Sequence, residues 1–265
     1  MPTPDQLRQQ PFAQASVKTE RIHGLDSLRA IMMMLGIVIH AAVTYSPIEY
    51  PAWTIKDSAA VHGSMHFIAA FIHLFRMPLF FVIAGFFGAL LFYQRSPRAM
   101  IKNRLERLVY PFIVFVLLLW PTIVFTFGYS RAVFAGSETP LAVALESLAS
   151  IAVLLPAKTF HLWFLYYLMW ITGAVFVLAM AGGKFPGIAG QIQRPFDWII
   201  QRPFSRLGFF AGLTFLVLQG MQQGWVATST AWVPDPKTFA FYSFFYLCGW
   251  ALYKAKHLLT STLTL

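Results

Sequence analysis

Met77-Pro-Leu-Phe-Phe-Val-Ile-Ala-Gly-Phe-Phe-Gly-Ala-Leu-Leu-Phe-Tyr93, followed at once by Gln94-Arg-Ser-Pro-Arg-Ala-Met-Ile-Lys-Asn-Arg-Leu-Glu-Arg-Leu108, decides how the rest of the chain is read. The first stretch carries no charge and only one hydroxyl. As a helix it satisfies its own backbone polar groups, the condition for entering a hydrocarbon layer about 30 Å thick. The second stretch sets Arg95, Arg98, Lys102, Arg104 and Arg107 against the single acid Glu106. A loop so rich in Lys and Arg stays on the cytoplasmic side of a membrane, so the preceding helix runs inward and ends there.

Composition extends this reading to the whole chain. Apolar residues make up 58% of the 265 positions and charged residues 11%, against about 25% charged in an ordinary soluble domain. The mean hydropathy is +0.62. No water-soluble fold hides that much apolar surface. The net charge of +10, from 20 Lys and Arg against 10 Asp and Glu, gathers in short segments between apolar runs. That is the distribution of membrane loops facing anionic lipid, and it gives no continuous basic face for nucleic acid. The single cysteine, Cys248, excludes an internal disulfide and a cysteine-rich metal site.

The fold class read from the sequence is all-α: a polytopic transmembrane helix bundle with about six spans and one short re-entrant or interfacial segment. Spans are expected at 25–45, 77–93, 109–129, 160–181, 207–222 and 239–253, with 61–76 as a partly interfacial approach to the second. The stretch 141–155 is apolar but short, interrupted by Glu146 and closed by Pro156. Counting it as non-spanning keeps the Gly/Pro-rich loop with Lys184, Arg194, Arg202 and Arg206 in the cytoplasm. In that loop Gln-Arg-Pro-Phe occurs at 193–196 and again at 201–204, a pattern suited to headgroup anchoring. Residues 1–24 form a cytoplasmic tail, 25–256 the transmembrane domain and 257–265 a second tail, with both ends inside.

Ionisable groups in membrane helices are costly and therefore candidates for function. Asp26 and Arg29, at i and i+3, either pair to order the guanidinium or only mark the inner end of the first helix. His40 lies eleven residues beyond Arg29, on nearly the same face and about 16 Å along the axis. It is either an interfacial histidine bonded to a carbonyl or a general base for a hydroxyl, since an ordinary imidazole titrates near neutrality. Arg76 and His161 stand at the outer ends of their helices and line a pocket with His40 on this reading; His73 and Glu146 face the same side. Arg104 and Arg107 form an Arg-x-x-Arg pair suited to phosphate, or ordinary loop charge. His62 and His66 have helical metal-pair spacing with no third ligand nearby, so no metal site is assigned. Gly-rich phosphate loops and the Gly-x-Ser-x-Gly elbow are missing.

In this order, Arg21-Ile-His-Gly-Leu-Asp-Ser-Leu-Arg29, Arg29-x10-His40, Phe75-Arg-Met-Pro-Leu-Phe-Phe-Val-Ile-Ala-Gly-Phe86, Arg104-x-x-Arg107 with Pro111, and His161-Leu-Trp-Phe-Leu165 resemble acyltransferase family 3. These are the membrane O-acyltransferases of bacterial surface and periplasmic glycans. The Met-Pro-Leu-Phe-Phe and His-Leu-Trp-Phe-Leu runs are most similar to the glucan biosynthesis protein C branch, associated with succinylation of osmoregulated periplasmic glucans. The resemblance covers 21–254 and implies an enzyme of the bacterial inner membrane. Acyl-CoA (succinyl-CoA or acetyl-CoA) is then the donor substrate, a glycan the acceptor and membrane lipid the surroundings, with no bound cofactor.

On the resemblance His40 is catalytic, Arg29 with Asp26 holds the donor or orders the helix, and Arg104 and Arg107 meet the CoA phosphates. Family members usually carry more helices than the about six read here, so the resemblance implies a truncated or divergent form, with a homo-oligomer or a completing partner as ways to complete the bundle. The competing readings are a multi-pass transporter or flippase, which would show inverted halves with broken helices, and a non-catalytic membrane subunit.

Overall fold

The computed structural model describes residues 23–50, 53, 55–149, 155–183, 186–220 and 229–255. Among them every regular element is helical. In chain order the α-helices are α1 (His23–Thr44), α2 (Gly63–Leu90), α3 (Pro97–Arg104), α4 (Tyr110–Phe134), α5 (Pro140–Glu146), α6 (Trp163–Gly182), α7 (Pro186–Gln201), α8 (Pro203–Gly220) and α9 (Pro236–Lys254). Single π-turns at Leu91–Arg95 and Leu105–Val109 flank α3, and a 3-10 turn at Phe160–Leu162 leads into α6.

Four stretches of described helix are long and apolar enough to cross a membrane: Gly24–Thr44, Gly63–Arg95, Pro97–Phe134 and Phe160–Gly182. They correspond to the first four spans read from the sequence. The remaining two fall on α8 and α9, helices of 18 and 19 residues. α9 is rich in Phe and Tyr and buries Phe241, Tyr242, Phe245, Tyr246 and Trp250 against the rest of the bundle. α5 has seven residues and rises only about 10 Å, too little to span. Residues 150–154 of the expected re-entrant segment lie outside the described ones.

Three expectations are corrected. The approach at 61–76 is not a separate interfacial piece: it is the first half of α2, opened by His62, whose imidazole accepts from the Ser64 backbone N–H. Arg76 therefore stands about 20 Å into that helix instead of at its outer end. The basic stretch 94–108 is helical too, because Ser96 caps α3 by accepting from Ala99 N–H at 3.0 Å and Pro97 supplies a preset first-turn φ. The Gly/Pro-rich loop at 182–206 contains α7 and the start of α8. Its first Gln-Arg-Pro-Phe copy sits within α7 and its second straddles the α7–α8 junction, with Arg202 4.3 Å from the Trp198 ring.

The core forms where α2, α6 and α9 meet, around Met77, Phe81, Tyr167, Ile171, Tyr242 and Tyr246. Phe81 and Tyr242 stack with centroids 4.5 Å apart. Two glycines allow the α2–α9 approach. A Cβ on Gly85 would run into the Tyr246 carbonyl, and one on Gly249 into the Val82 carbonyl. Small residues at such crossings let helix backbones touch, the usual solution where apolar burial does not distinguish protein from lipid. α1 runs antiparallel to α2, with Gly36 against Arg76 and the Arg29 guanidinium 5.7 Å from the Phe87 ring.

Candidate active site

α1 ends at Thr44, and the chain then folds back over its own last turn: Asp57 N–H donates to the Thr44 carbonyl and His62 N–H to the Tyr45 carbonyl. This return carries Trp53 onto His40. Trp53 Nε1 donates to Thr44 Oγ1 at 3.1 Å, and that hydroxyl donates to the His40 backbone carbonyl at 3.1 Å. The indole lies flat against the imidazole, centroids 4.9 Å apart and planes 20° from parallel. Position 40 is thus fixed by its backbone on one side and by an aromatic plate on the other.

His161 arrives from the opposite wall, its ring centroid 5.2 Å from that of His40. The turn that delivers it is tied down on its approach. Thr159 donates from its N–H (2.8 Å) and its hydroxyl (3.0 Å) to the Thr230 carbonyl, and Trp232 Nε1 donates to the Pro156 carbonyl at 2.8 Å. Phe160 takes φ +45°, a left-handed conformation that costs a side-chain-bearing residue roughly 1–2 kcal/mol. Strain of this kind persists where surrounding bonds over-determine it, and here it falls on the residue before His161.

These groups face an open cavity of about 2220 Å³ lined by α1, α2, α4, α5 and the start of α6, with Thr214 of α8 and Phe241 of α9. His40, Arg76, His161, His73 and Glu146, the catalytic base and acceptor-pocket residues read from the sequence, all line it. Asp26, Arg29, Arg104 and Arg107 do not. Asp26 and Arg29 make their i, i+3 ion pair at 3.8 Å on an exposed surface, where such a pair contributes little. Arg104 and Arg107 are not presented together. Arg107 is exposed, whereas Arg104 turns inward, its Nη2 donating to the Ala84 carbonyl at 3.2 Å beside Gly88 and Tyr246. His62 and His66 part as well: His62 bonds Ser64, and His66 Nδ1 lies 3.0 Å from the Tyr50 hydroxyl.

The cavity adds residues that sequence reasoning did not single out: Trp53, Tyr50, Glu49, Arg131 and Lys158. Trp53 had a usable signal, an isolated Trp in a polar loop directly after the helix that carries the histidine. Arg131 and Lys158 read as ordinary flanking charge and had none. Chemically, the arrangement offers an imidazole held by an aromatic plate, a second imidazole across from it, a guanidinium within the same space and apolar walls from Phe80, Phe127 and Phe241. That suits proton transfer at a hydroxyl next to a group that develops negative charge.

The model of a family described as an acyltransferase domain matches residues 22–265. Among curated proteins the chain is similar to glucans biosynthesis protein C of Salmonella schwarzengrund (strain CVM19633) and of Salmonella typhi. Each is 34% identical over 158 residues, which is 60% of this chain and 39% of the relative. The protein of that name from Salmonella paratyphi B (strain ATCC BAA-1250 / SPB7) is 33% identical over the same extent. The match thus spans well under half the length of these relatives. No solved structure matches. The family and the branch are those the sequence motifs resemble.

Proposed function

The chain belongs to the acyltransferase domain family, and from that premise we propose that it is a membrane O-acyltransferase using His40 as general base. It moves a succinyl or acetyl group from acyl-CoA on the cytoplasmic side to a hydroxyl of a periplasmic or surface glycan. The observation that carries this reading is the meeting of His40, His161 and Arg76 around one cavity between membrane helices. The relatives' name, glucans biosynthesis protein C, supports a glucan as acceptor.

In the reaction His40 takes the proton of the acceptor hydroxyl as its oxygen attacks the thioester carbonyl. The tetrahedral intermediate collapses, the carbon–sulfur bond breaks, and CoA leaves as a thiol with the proton that His40 returns. Trp53 keeps the imidazole in place between the two proton transfers. Arg107, exposed just before α4, stands on the donor side, as do the inward-turned Arg104 and the Asp26–Arg29 pair. The N-terminus is cytoplasmic and the membrane is the bacterial inner membrane.

The test is acyl transfer in membranes containing the chain, supplied with labelled succinyl-CoA or acetyl-CoA and a periplasmic glucan. Base-labile label on the glucan is the expected result. No label from either donor, with insertion confirmed, would overturn the assignment.

A further inference from the structure

We propose, building on the acyl-transfer reading, that Arg76 seats an oxyanion carried by the donor, either a carboxylate on the acyl chain or a phosphate on the carrier, one helical turn to the inner side of His40. The guanidinium lies against Gly36 of α1, with Nη1 2.6 Å from the position a Cβ would take there. Gly36 precedes His40 by four residues, a rise of about 6 Å. Among the described residues Nε and Nη1 are buried without a hydrogen-bond partner, and Nη2 meets the Met77 sulfur, a weak acceptor, at 3.5 Å. Among the described residues Arg76 is in no ion pair. Of the two acids that line the cavity, Glu49 is engaged by Lys56 at 3.9 Å, and Glu146 ends α5, which packs on α4.

A half-buried guanidinium without a counter-charge is unfavourable, and intramembrane cations mark ligand sites for that reason. Its planar fork fits a carboxylate or a phosphate in two parallel hydrogen bonds. The location favours the donor over the acceptor. Gly36 lies between His40 and the end of α1 that carries Arg29, the side from which acyl-CoA enters on the reading above. The scale also fits. Three carbon–carbon bonds of about 1.5 Å separate a thioester carbonyl from a carboxylate two methylenes away, and adding a hydrogen bond of about 2.8 Å covers a length comparable to the rise of about 6 Å from Gly36 to His40.

The experiment is equilibrium binding to the purified chain in detergent micelles. Four probes are compared, succinyl-CoA, acetyl-CoA, CoA and S-acetylpantetheine, the last carrying no charge. Wild type, Arg76→Met and His40→Ala are each measured. If the seat takes the acyl carboxylate, succinyl-CoA binds the wild type about 10- to 100-fold more tightly than acetyl-CoA and Arg76→Met erases that gap alone. If it takes a phosphate, Arg76→Met weakens acetyl-CoA and CoA equally and leaves S-acetylpantetheine unchanged. Unchanged binding of all four probes in Arg76→Met, or an equal loss that includes S-acetylpantetheine, overturns the proposal.

Without ligand, Arg76→Met should be at least as heat-stable as wild type, because a half-buried guanidinium with no ion pair among the described residues is gone. A lower melting temperature in the absence of ligand would mean that the guanidinium serves packing. His40→Ala should keep the Arg76-dependent pattern. A wild type that binds in this pattern yet transfers no acyl group contradicts the acyltransferase reading and leaves the seat standing.

Discussion

His40 stood out in the sequence because an imidazole near the end of an apolar helix has few inexpensive explanations. Arg76, His161, His73 and Glu146 were placed beside it by the same reasoning, and they do share its cavity. Trp53 was visible as an isolated Trp in a polar loop, but its contact with His40 was not, because that contact depends on the path of the loop, and loop paths follow from closing hydrogen bonds such as His62 N–H to the Tyr45 carbonyl, which spacing does not encode. Arg104 was readable as a cation but not in its direction, since only the packed α2–α9 crossing shows that it turns inward to Ala84. Trp53 is a positioning residue on this account. Trp53→Ala should lower kcat by at least about tenfold with little change in KM, as expected when a base is misaligned. Trp53→Phe, which keeps the plate and loses the bond to Thr44, should retain most of the rate. Equal losses in both variants would show that the hydrogen bond, not the stack, sets the geometry.

The long apolar helices were legible from composition because 18 or more uncharged residues have few other uses. The helices at α3 and α7 were read as loops because proline, glycine and charge there resemble breakers. Ser96 and Pro97 in fact form a helix start, and Pro195 is accommodated inside α7. The α2–α9 crossing gives a sharp test. Gly85→Ala and Gly249→Ala should each destabilise the bundle by about 1–3 kcal/mol or more, measured by denaturant unfolding in micelles, since the added methyl meets a neighbouring carbonyl. Gly173→Ala on α6, with nothing within 4 Å of the added methyl, is the control and should be near neutral.

At the start of α9, Asp235 accepts from Thr238 N–H at 2.7 Å and from its hydroxyl at 2.6 Å, and these bonds hold its carboxyl below the ordinary value. Asp235→Ala should cost about 1 kcal/mol at neutral pH. A depressed carboxyl contributes its stability above the unfolded-state pKa and loses it as pH falls through the folded-state value. The difference between Asp235→Asn and wild type should therefore shrink on acidification, as read from thermal unfolding at pH 7 and at progressively lower pH. A gap that stays constant would assign the cap a purely structural role.

At the scale of the molecule, antiparallel α1 and α2 set two ends apart. One holds Asp26, Arg29, Arg104 and Arg107, and the other opens as the cavity with His40, Trp53 and His161. On the proposed function, this separation would let a donor be met at one end and an acceptor at the other. The measurement that tests the account most directly is single-turnover acyl transfer to glucan by wild type and His40→Ala at matched levels of inserted protein. The account predicts that the variant still binds acyl-CoA and loses transfer by at least about 10²-fold, the share typical of a positioned base. Transfer by His40→Ala at the wild-type rate would contradict it and move the chemistry away from the cavity between α1 and α6.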